Sequence, residues 1–378
     1  MSRIINNEQE DSDMQPVLNV GVVGAGAISD IYLTNLSGMF KGLNPVAVCA
    51  RHLERARIKA VKYGLRACTF EEMLADPAIQ MMVILTPVDT HYSLIRQALE
   101  AGKHVYTEKT MTETTGQARE LLEIADEQGL YLGSAPDTFM GTGFQTARKA
   151  IDDGLIGDIH SFSLSINRNN DYLTARFPFL RLPGAGVLRD YLVYYLTALI
   201  SLLGPAARVS ALVRNPVPRK INTLPGSDGF GTEIETPNES VAAAVLELEN
   251  GIIGSIHQNH ETLMRDRADF VLYGTKGILL LGNANRFGDP VTLLPVSEDR
   301  DPAPVVLEPA GAYPDNSRGL GAAEMAAALC EGRPNRASKE MAYHVLDILE
   351  CMEKSSLEGV FVPVPSTCAR PALFMGRV

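Results

Sequence analysis

The chain has 378 residues, 46% of them hydrophobic and 21% charged, with a formal net charge of -11 and five cysteines. That length exceeds what one core organises well, so two domains are expected, and the composition is that of an ordinary globular chain and not a disordered or fibrous one. An acidic chain lacks the positive stripe that displaces counterions from a phosphate backbone, which sets nucleic acid aside as a partner.

The longest apolar run, from Tyr191 to Gly204, falls short of the roughly 20 residues that cross a bilayer, so no membrane is expected and the run reads as a buried helix. Cys49, Cys68, Cys330, Cys351 and Cys368 are dispersed and never spaced C-x-x-C, which predicts neither a disulfide framework nor a thiolate metal site and fits a cytoplasmic location. Residues 1–16 are polar and acidic, lack the pattern of a secretory signal, and are expected to form a flexible tail.

From Leu18 to Ala135 short apolar runs alternate with amphipathic stretches. LNVGVV precedes Ala27 to Gly38, PVAVCA precedes Leu53 to Tyr63, and MMVILTP precedes Thr90 to Ala101; HVYTE then leads to Thr114 to Gln128, and YLGSA closes the series. This pattern predicts βαβ units, and so a doubly wound parallel sheet over residues 17–136. Gly64, Gly102 and Gly129 each follow an amphipathic run, where a left-handed residue closes the last turn.

After Pro136 the texture changes. A helix over Phe144 to Asp152 and a strand over Ile159 to Ile166 precede the apolar helix; strand then follows strand through RVSALVR, VAAAVLELENGIIGSIHQNH and ADFVLYGTKGILLLG. Two helices follow, near Leu320 to Glu331 and Lys339 to Lys354. Residues 137–378 are therefore expected to form an α+β domain with a large open mixed or antiparallel sheet, interrupted by an irregular loop over 215–237.

The stretch VVGAGAISD, Val22 to Asp30, leaves a strand, turns on two glycines and enters a helix. Gly24 permits the tight turn, Gly26 lets the backbone approach a pyrophosphate, and Ala27 and Ile28 lead into the helix; the third position of the fingerprint is Ser29. The expected cofactor is NAD or NADP. The acidic residue that usually meets the ribose hydroxyls of NAD has no counterpart in VCARH, where Ala50 is followed by Arg51, a residue suited to a 2′-phosphate. There is no H-E-x-x-H or paired Cys/His cluster and no G-x-S-x-G turn, so metal is not expected and hydride chemistry is favoured.

The stretch ILTPVDTHYSLIRQALEAGKHVYTEKT, Ile84 to Thr110, together with GVVGAGAIS, resembles the Gfo/Idh/MocA family of sugar-handling oxidoreductases, whose members show T-P-x-x-x-H, then A-L-x-A-G-K-H-V, then E-K-P. Later blocks resemble the family too, so the likeness covers nearly the whole chain. It implies a Rossmann nucleotide-binding domain and an oligomerising second domain, and hence a homodimer or homotetramer. It also implies cofactor contacts at Thr86, Pro87, His91 and Glu108 and a catalytic Lys109. Thr110 stands where the family has proline.

The family block G-G-G-x-L-x-D-x-G-x-H corresponds to Gly184, Ala185, Gly186, Leu188, Asp190, Leu192 and Tyr194. Asp190 is kept, whereas Tyr194 replaces the histidine, and Lys109 nearby is expected to favour its phenolate. His91 has a structural reading as well, as a hydrogen-bonding residue in the first turn of its helix. In SIHQNHE, alternation puts Gln258 and His260 on one face and His257 and Asn259 on the other. His257, His260 and Asn167, the last from NRNNDYLTARF, are the candidates for substrate contacts beside Lys109 and Tyr194.

The resemblance implies hydride exchange with a secondary hydroxyl of a sugar, polyol or glycoside, including C3 of a glucoside. The alternatives are a redox-neutral NAD-dependent lyase or glycosidase, and a nucleotide-binding sensor that has lost catalysis.

Overall fold

The computed structural model describes residues 17–182, 184–263, 266–297 and 303–378, so the tail expected over residues 1–16 lies outside it. Strands β1 (Leu18–Val23), β2 (Leu43–Cys49), β3 (Arg66–Ala67), β4 (Met81–Ile84), β5 (His104–Thr107) and β6 (Leu132–Ser134) form a parallel sheet in the order β3-β2-β1-β4-β5-β6. Helices α1 (Ser29–Gly38), α2 (Leu53–Tyr63), α3 (Phe70–Ala75), α4 (His91–Glu100) and α5 (Thr115–Glu127) connect them. All four residues of β4 are fully buried, which is why it reads as a continuous apolar run without alternation.

In α4 the buried residues are His91, Ile95, Ala98 and Leu99, one face at helical spacing. Gly64, Gly102 and Gly129 adopt φ of 69°, 74° and 64°, the left-handed turns expected of them. The short α3 escaped the periodicity because only Met73 is buried along it; a capping box of Thr69 and Glu72 starts it.

The second half contains α6 (Thr142–Asp152), β7 (Ile159–Asn167), α7 (Asp171–Arg176), a π turn (Leu188–Leu192), α8 (Val193–Leu203) and β8 (Ala206–Arg214). Next come β9 (Arg219–Ile221), β10 (Glu233–Glu235), β11 (Val241–Leu248), β12 (Ile253–Asn259), β13 (Arg267–Gly274), β14 (Gly277–Leu281), β15 (Thr292–Pro295) and β16 (Val305–Val306). Helices α9 (Leu320–Glu331) and α10 (Lys339–Glu358) and strand β17 (Val362–Pro363) end the series.

Nine of these strands make one mixed sheet, β16-β15-β14-β13-β7-β12-β11-β8-β17, in which β7 is parallel to β12 and antiparallel to β13. The stretch expected to be irregular, 215–237, contains the short antiparallel ribbon of β9 and β10. One face of the large sheet is covered: Phe162, Leu164 and Ile166 on β7 and Ile256 and Gln258 on β12 are buried, as is every residue of α8. The other face is open.

The C-terminal helices also reach the first sheet. Helix α9 packs on β5 and β6, α10 packs on α5, β6 and β8, and the Ser134 N–H donates to the Ala337 carbonyl. Buried Asp137, just beyond β6, anchors this return by accepting from the Gly319 and Gly321 N–H groups at 2.9 and 3.1 Å. Burial pushes its carboxyl up to about 6, Glu108 adds to the rise, and the two N–H bonds and Arg318 oppose it.

An acid with a raised folded-state pKa stabilises the fold fully below its unfolded value near 4 and loses that contribution as pH rises through about 6. Asp137→Asn keeps an acceptor oxygen and removes the titration. Denaturation of the variant and wild type across pH 4–7 is therefore expected to show a difference of up to about 3 kcal/mol opening over that window, in favour of the variant at the high end.

Candidate active site

The strand order reverses between β1 and β4, so a crevice opens beyond their carboxyl ends. The glycine turn lies there. Gly24 has φ of +116°, and a Cβ on it would sit 3.0 Å from the Leu85 carbonyl, so the strand-to-helix turn closes against the end of β4 only because that residue is glycine. A Cβ on exposed Gly26 would meet nothing, which leaves the start of α1 approachable by a large anionic group. Ala27 is exposed and Ile28 half-buried, and no side chain caps the first turn of α1. Ser29 is buried and donates to the Gly26 carbonyl at 2.7 Å, doing by a hydrogen bond and small size what a third glycine does by size alone. Arg51 lies exposed past the end of β2, after half-buried Ala50.

Beyond β4, the Thr90 hydroxyl donates to the Thr86 hydroxyl at 2.8 Å, and Pro87 starts the turn into α4. His91 is fully buried; its Nε2 lies 2.7 Å from the Thr86 carbonyl and its Nδ1 lies 2.8 Å from the Thr110 carbonyl. It therefore ties the loop after β4 to the loop after β5. Burial pulls its pKa below the ordinary histidine range, although both carbonyls favour the charged ring.

Glu108, at the head of the second loop, accepts from the Tyr32 hydroxyl at 2.7 Å and from the Lys109 N–H at 3.1 Å. Two elements are thus pinned behind Lys109.

The Lys109 ammonium donates to Asp190 Oδ1 at 2.7 Å and to the Asp190 carbonyl at 2.6 Å. Asp190 lies in the π turn, where the Val193 N–H reaches back five residues to the Leu188 carbonyl, a distortion that recurs at functional sites. Tyr194, one turn on, places its ring centroid 5.5 Å from Lys109 Nζ. Gly186 lets this segment start against Glu239, whose carboxylate a Cβ would meet at 1.9 Å. Burial would push the Lys109 ammonium down, but Asp190 and other neighbours leave it above the usual lysine range. Burial likewise disfavours the Asp190 carboxylate, and Lys109 outweighs it, so that carboxyl is held low. For Tyr194 burial wins over Lys109 and Arg318, and its phenol is pushed up. The phenolate expected from the sequence is thus not favoured: the desolvation cost of an anion exceeds what nearby cations return.

His260 is fully buried beside this group, its Nε2 3.1 Å from Gln258 Nε2 and its ring edge-on to Tyr191 with centroids 5.4 Å apart. Burial lowers its pKa to about 3. His257 and Asn167 are elsewhere. His257 is exposed on the open face, where it pairs with Ala243 and Ser165, and Asn167 donates to the Ser165 hydroxyl at 3.1 Å on that same face. Strand alternation puts the thickness of the sheet between both residues and Lys109, which corrects their assignment as substrate contacts.

Three residues the sequence did not single out stand beside Asp190 or Tyr194. Arg318 bonds Asn316 and Asn285 and helps to hold the Tyr194 phenol; its approach depends on the return of α9, which no local signal predicts. Arg168 lies over Tyr191, and the Tyr191 hydroxyl donates to Asp266 at 2.5 Å. The i, i+3 and i+4 spacing of Tyr191, Tyr194 and Tyr195 was the available signal for the last of these.

Residues 18–135 match the model of the oxidoreductase family with an NAD-binding Rossmann fold, and residues 144–280 match the Gfo/Idh/MocA C-terminal domain. The chain belongs to the Gfo/Idh/MocA oxidoreductase family. Its first half carries that family's NAD-binding Rossmann fold.

Levoglucosan dehydrogenase of Pseudarthrobacter phenanthrenivorans is 24% identical over 93% of this chain and 99% of its own. The scyllo-inositol 2-dehydrogenase (NADP+) of Bacillus subtilis is 32% identical over 38% of this chain and 40% of its own. The chain spans 40–65% of the length of four relatives that are 30–34% identical. Among solved structures, levoglucosan dehydrogenase in complex with NADH superposes with a TM-score of 0.78 at 21% identity, covering 92% of this chain and 99% of that one. Among the described residues no helix is long and apolar enough to cross a membrane.

His91→Leu leaves the Thr86 and Thr110 carbonyls without their ring partner, so chemical denaturation is expected to show a loss of roughly 2–4 kcal/mol. Gly24→Ala forces a side chain into left-handed backbone against Leu85. Titration with NADH and NADPH is expected to show cofactor affinity weakened by about ten-fold or more, a cost near 1–3 kcal/mol.

Proposed function

We propose that the chain oxidises a secondary hydroxyl of a sugar, polyol or glycoside, or reduces the corresponding carbonyl. The observation that carries this reading is the part-buried Lys109 ammonium, held 2.7 Å from Asp190 and 5.5 Å from the Tyr194 ring at the carboxyl end of β5, with β4 between that strand and the glycine turn of β1. Gly24, Gly26, Ala27 and Ile28 would hold the pyrophosphate of the dinucleotide, with Thr86, Pro87, His91 and Glu108 shaping the wall beside it. The bound nicotinamide supplies the hydride exchange.

Lys109 hydrogen-bonds the reacting oxygen. In the reducing direction it gives that oxygen a proton; in the oxidising direction it lowers the hydroxyl pKa and, once deprotonated, takes the proton. Asp190 keeps the ammonium aimed and compensates its charge. Tyr194 is a second hydrogen-bond donor to the same oxygen, and His260, neutral at physiological pH, lines the substrate side. Ala50 and Arg51 support use of NADP as well as NAD. The broad reading of a small-molecule substrate extends to self-association through the open sheet face, where Leu212, Val245 and Ile253 are exposed, and to work in the cytoplasm.

Following the emission of reduced nicotinamide while sugars, polyols and glycosides are added tests the reading. Lys109→Met is expected to lower turnover by about 10²–10⁴-fold while cofactor affinity stays near wild type. Turnover unaffected by Lys109→Met would overturn it. Asp190 and burial respectively keep the Lys109 and Tyr194 protons in place well above neutral pH, so the oxidation rate is expected to rise with pH through the neutral range, while the reduction rate stays level there and falls only at alkaline pH. A pH–rate profile of the two directions checks this, and the slopes should flatten in Lys109→Met.

A further inference from the structure

β7 ends at Asn167 on the open face, so alternation turns the next side chain, Arg168, to the covered face. Its guanidinium carbon lies 4.4 Å from the ring centroid of Tyr191. That ring is fixed in place: its hydroxyl donates to Asp266 and also bonds Asn283, and His260 meets it edge-on. Tyr191 directly follows Asp190, so Arg168 stands beside the Lys109–Asp190 pair, and its charge contributes to holding the Asp190 carboxyl low.

The charges around the cleft are unevenly matched. Lys109 is compensated by Asp190, and the neighbouring Lys220 by Asp171 and Glu261 at 2.8 and 2.6 Å. Among the described residues the Arg168 side chain donates no hydrogen bond and has no carboxylate within 4 Å, although it is half-buried; its only bond is from its backbone N–H to the Asn259 carbonyl. Arg318, on the Tyr194 side, bonds the side chains of Asn316 and Asn285, which are neutral. A chain of net charge -11 thus keeps a stacked guanidinium with its N–H fork unused next to the reacting lysine. A neutral hydroxyl uses one of those donors; an oxyanion uses two in parallel and cancels the charge.

We propose that Arg168 reads an anionic group on the substrate, which is therefore a polyhydroxylated compound bearing a carboxylate or phosphate, with that group on Arg168 and the reacting hydroxyl on Lys109. This rests on the sugar or polyol reading above and narrows it. Stacking on Tyr191 holds the fork in place before the anion arrives, so little rotamer freedom remains to be lost on binding.

The test uses hexoses in matched sets of neutral sugar, uronate and 6-phosphate, assayed with wild type, Arg168→Gln and Arg168→Lys. Fold integrity is checked by cofactor binding. In wild type an anionic member is expected to exceed its neutral parent in kcat/KM by about ten-fold or more, mainly through KM; the ratio should fall to near one in Arg168→Gln and recover in part in Arg168→Lys. Whether uronate or phosphate leads identifies the anion. A wild type that prefers neutral parents, or an anionic preference that survives Arg168→Gln, overturns the proposal.

If no sugar is turned over, the oxidoreductase reading of the substrate fails separately, and the melting temperature of the NADPH-loaded protein decides the anion site. Stabilisation by the anionic members in wild type and not in Arg168→Gln upholds it; equal shifts in both sink it.

Discussion

Eighty-one positions separate Lys109 from Asp190, yet the ammonium of one and the carboxylate of the other meet at 2.7 Å in a part-buried setting. Removing either partner would leave the other charge partly desolvated and unpaired, so each loop constrains the other. The rest of the cleft is arranged around that contact. Glu108 and His91 hold the lysine loop from the side of α1 and α4, and the π turn, with Gly186 against Glu239, presents Asp190 from the other.

The pair also fixes which protons can move. A lone buried lysine would lose its proton readily; beside Asp190 it keeps it, and the same burial keeps the Tyr194 phenol neutral. A phenol at this position is a proton donor that gives up its proton at higher pH than an imidazole would.

Much of the fold was legible because its signals are local. The βαβ alternation, the glycine stops and the pyrophosphate turn involve residues within a few positions of each other, and the helices Leu53–Tyr63 and Leu320–Glu331 were bounded from their apolar spacing. The candidate site was legible only where a motif spelled it out, as for Lys109 and Asp190. Asn167 and His257 were chosen for their chemistry, but side-chain direction on a strand has a period of two, and which parity faces the cleft is set by the helices that cover the sheet. One position further on, at Arg168, the parity is right.

The sequence by itself determined the parallel first sheet, the glycine turn after β1 and the family, because each is written in short spacings whose physics is local. Only the tertiary structure decided that Arg168 stacks on Tyr191, that Arg318 reaches Tyr194 through the returning α9, and that the phenol stays protonated. Those outcomes depend on burial and on charges brought together from distant parts of the chain, and neither quantity exists until the sheet and its covering helices have packed.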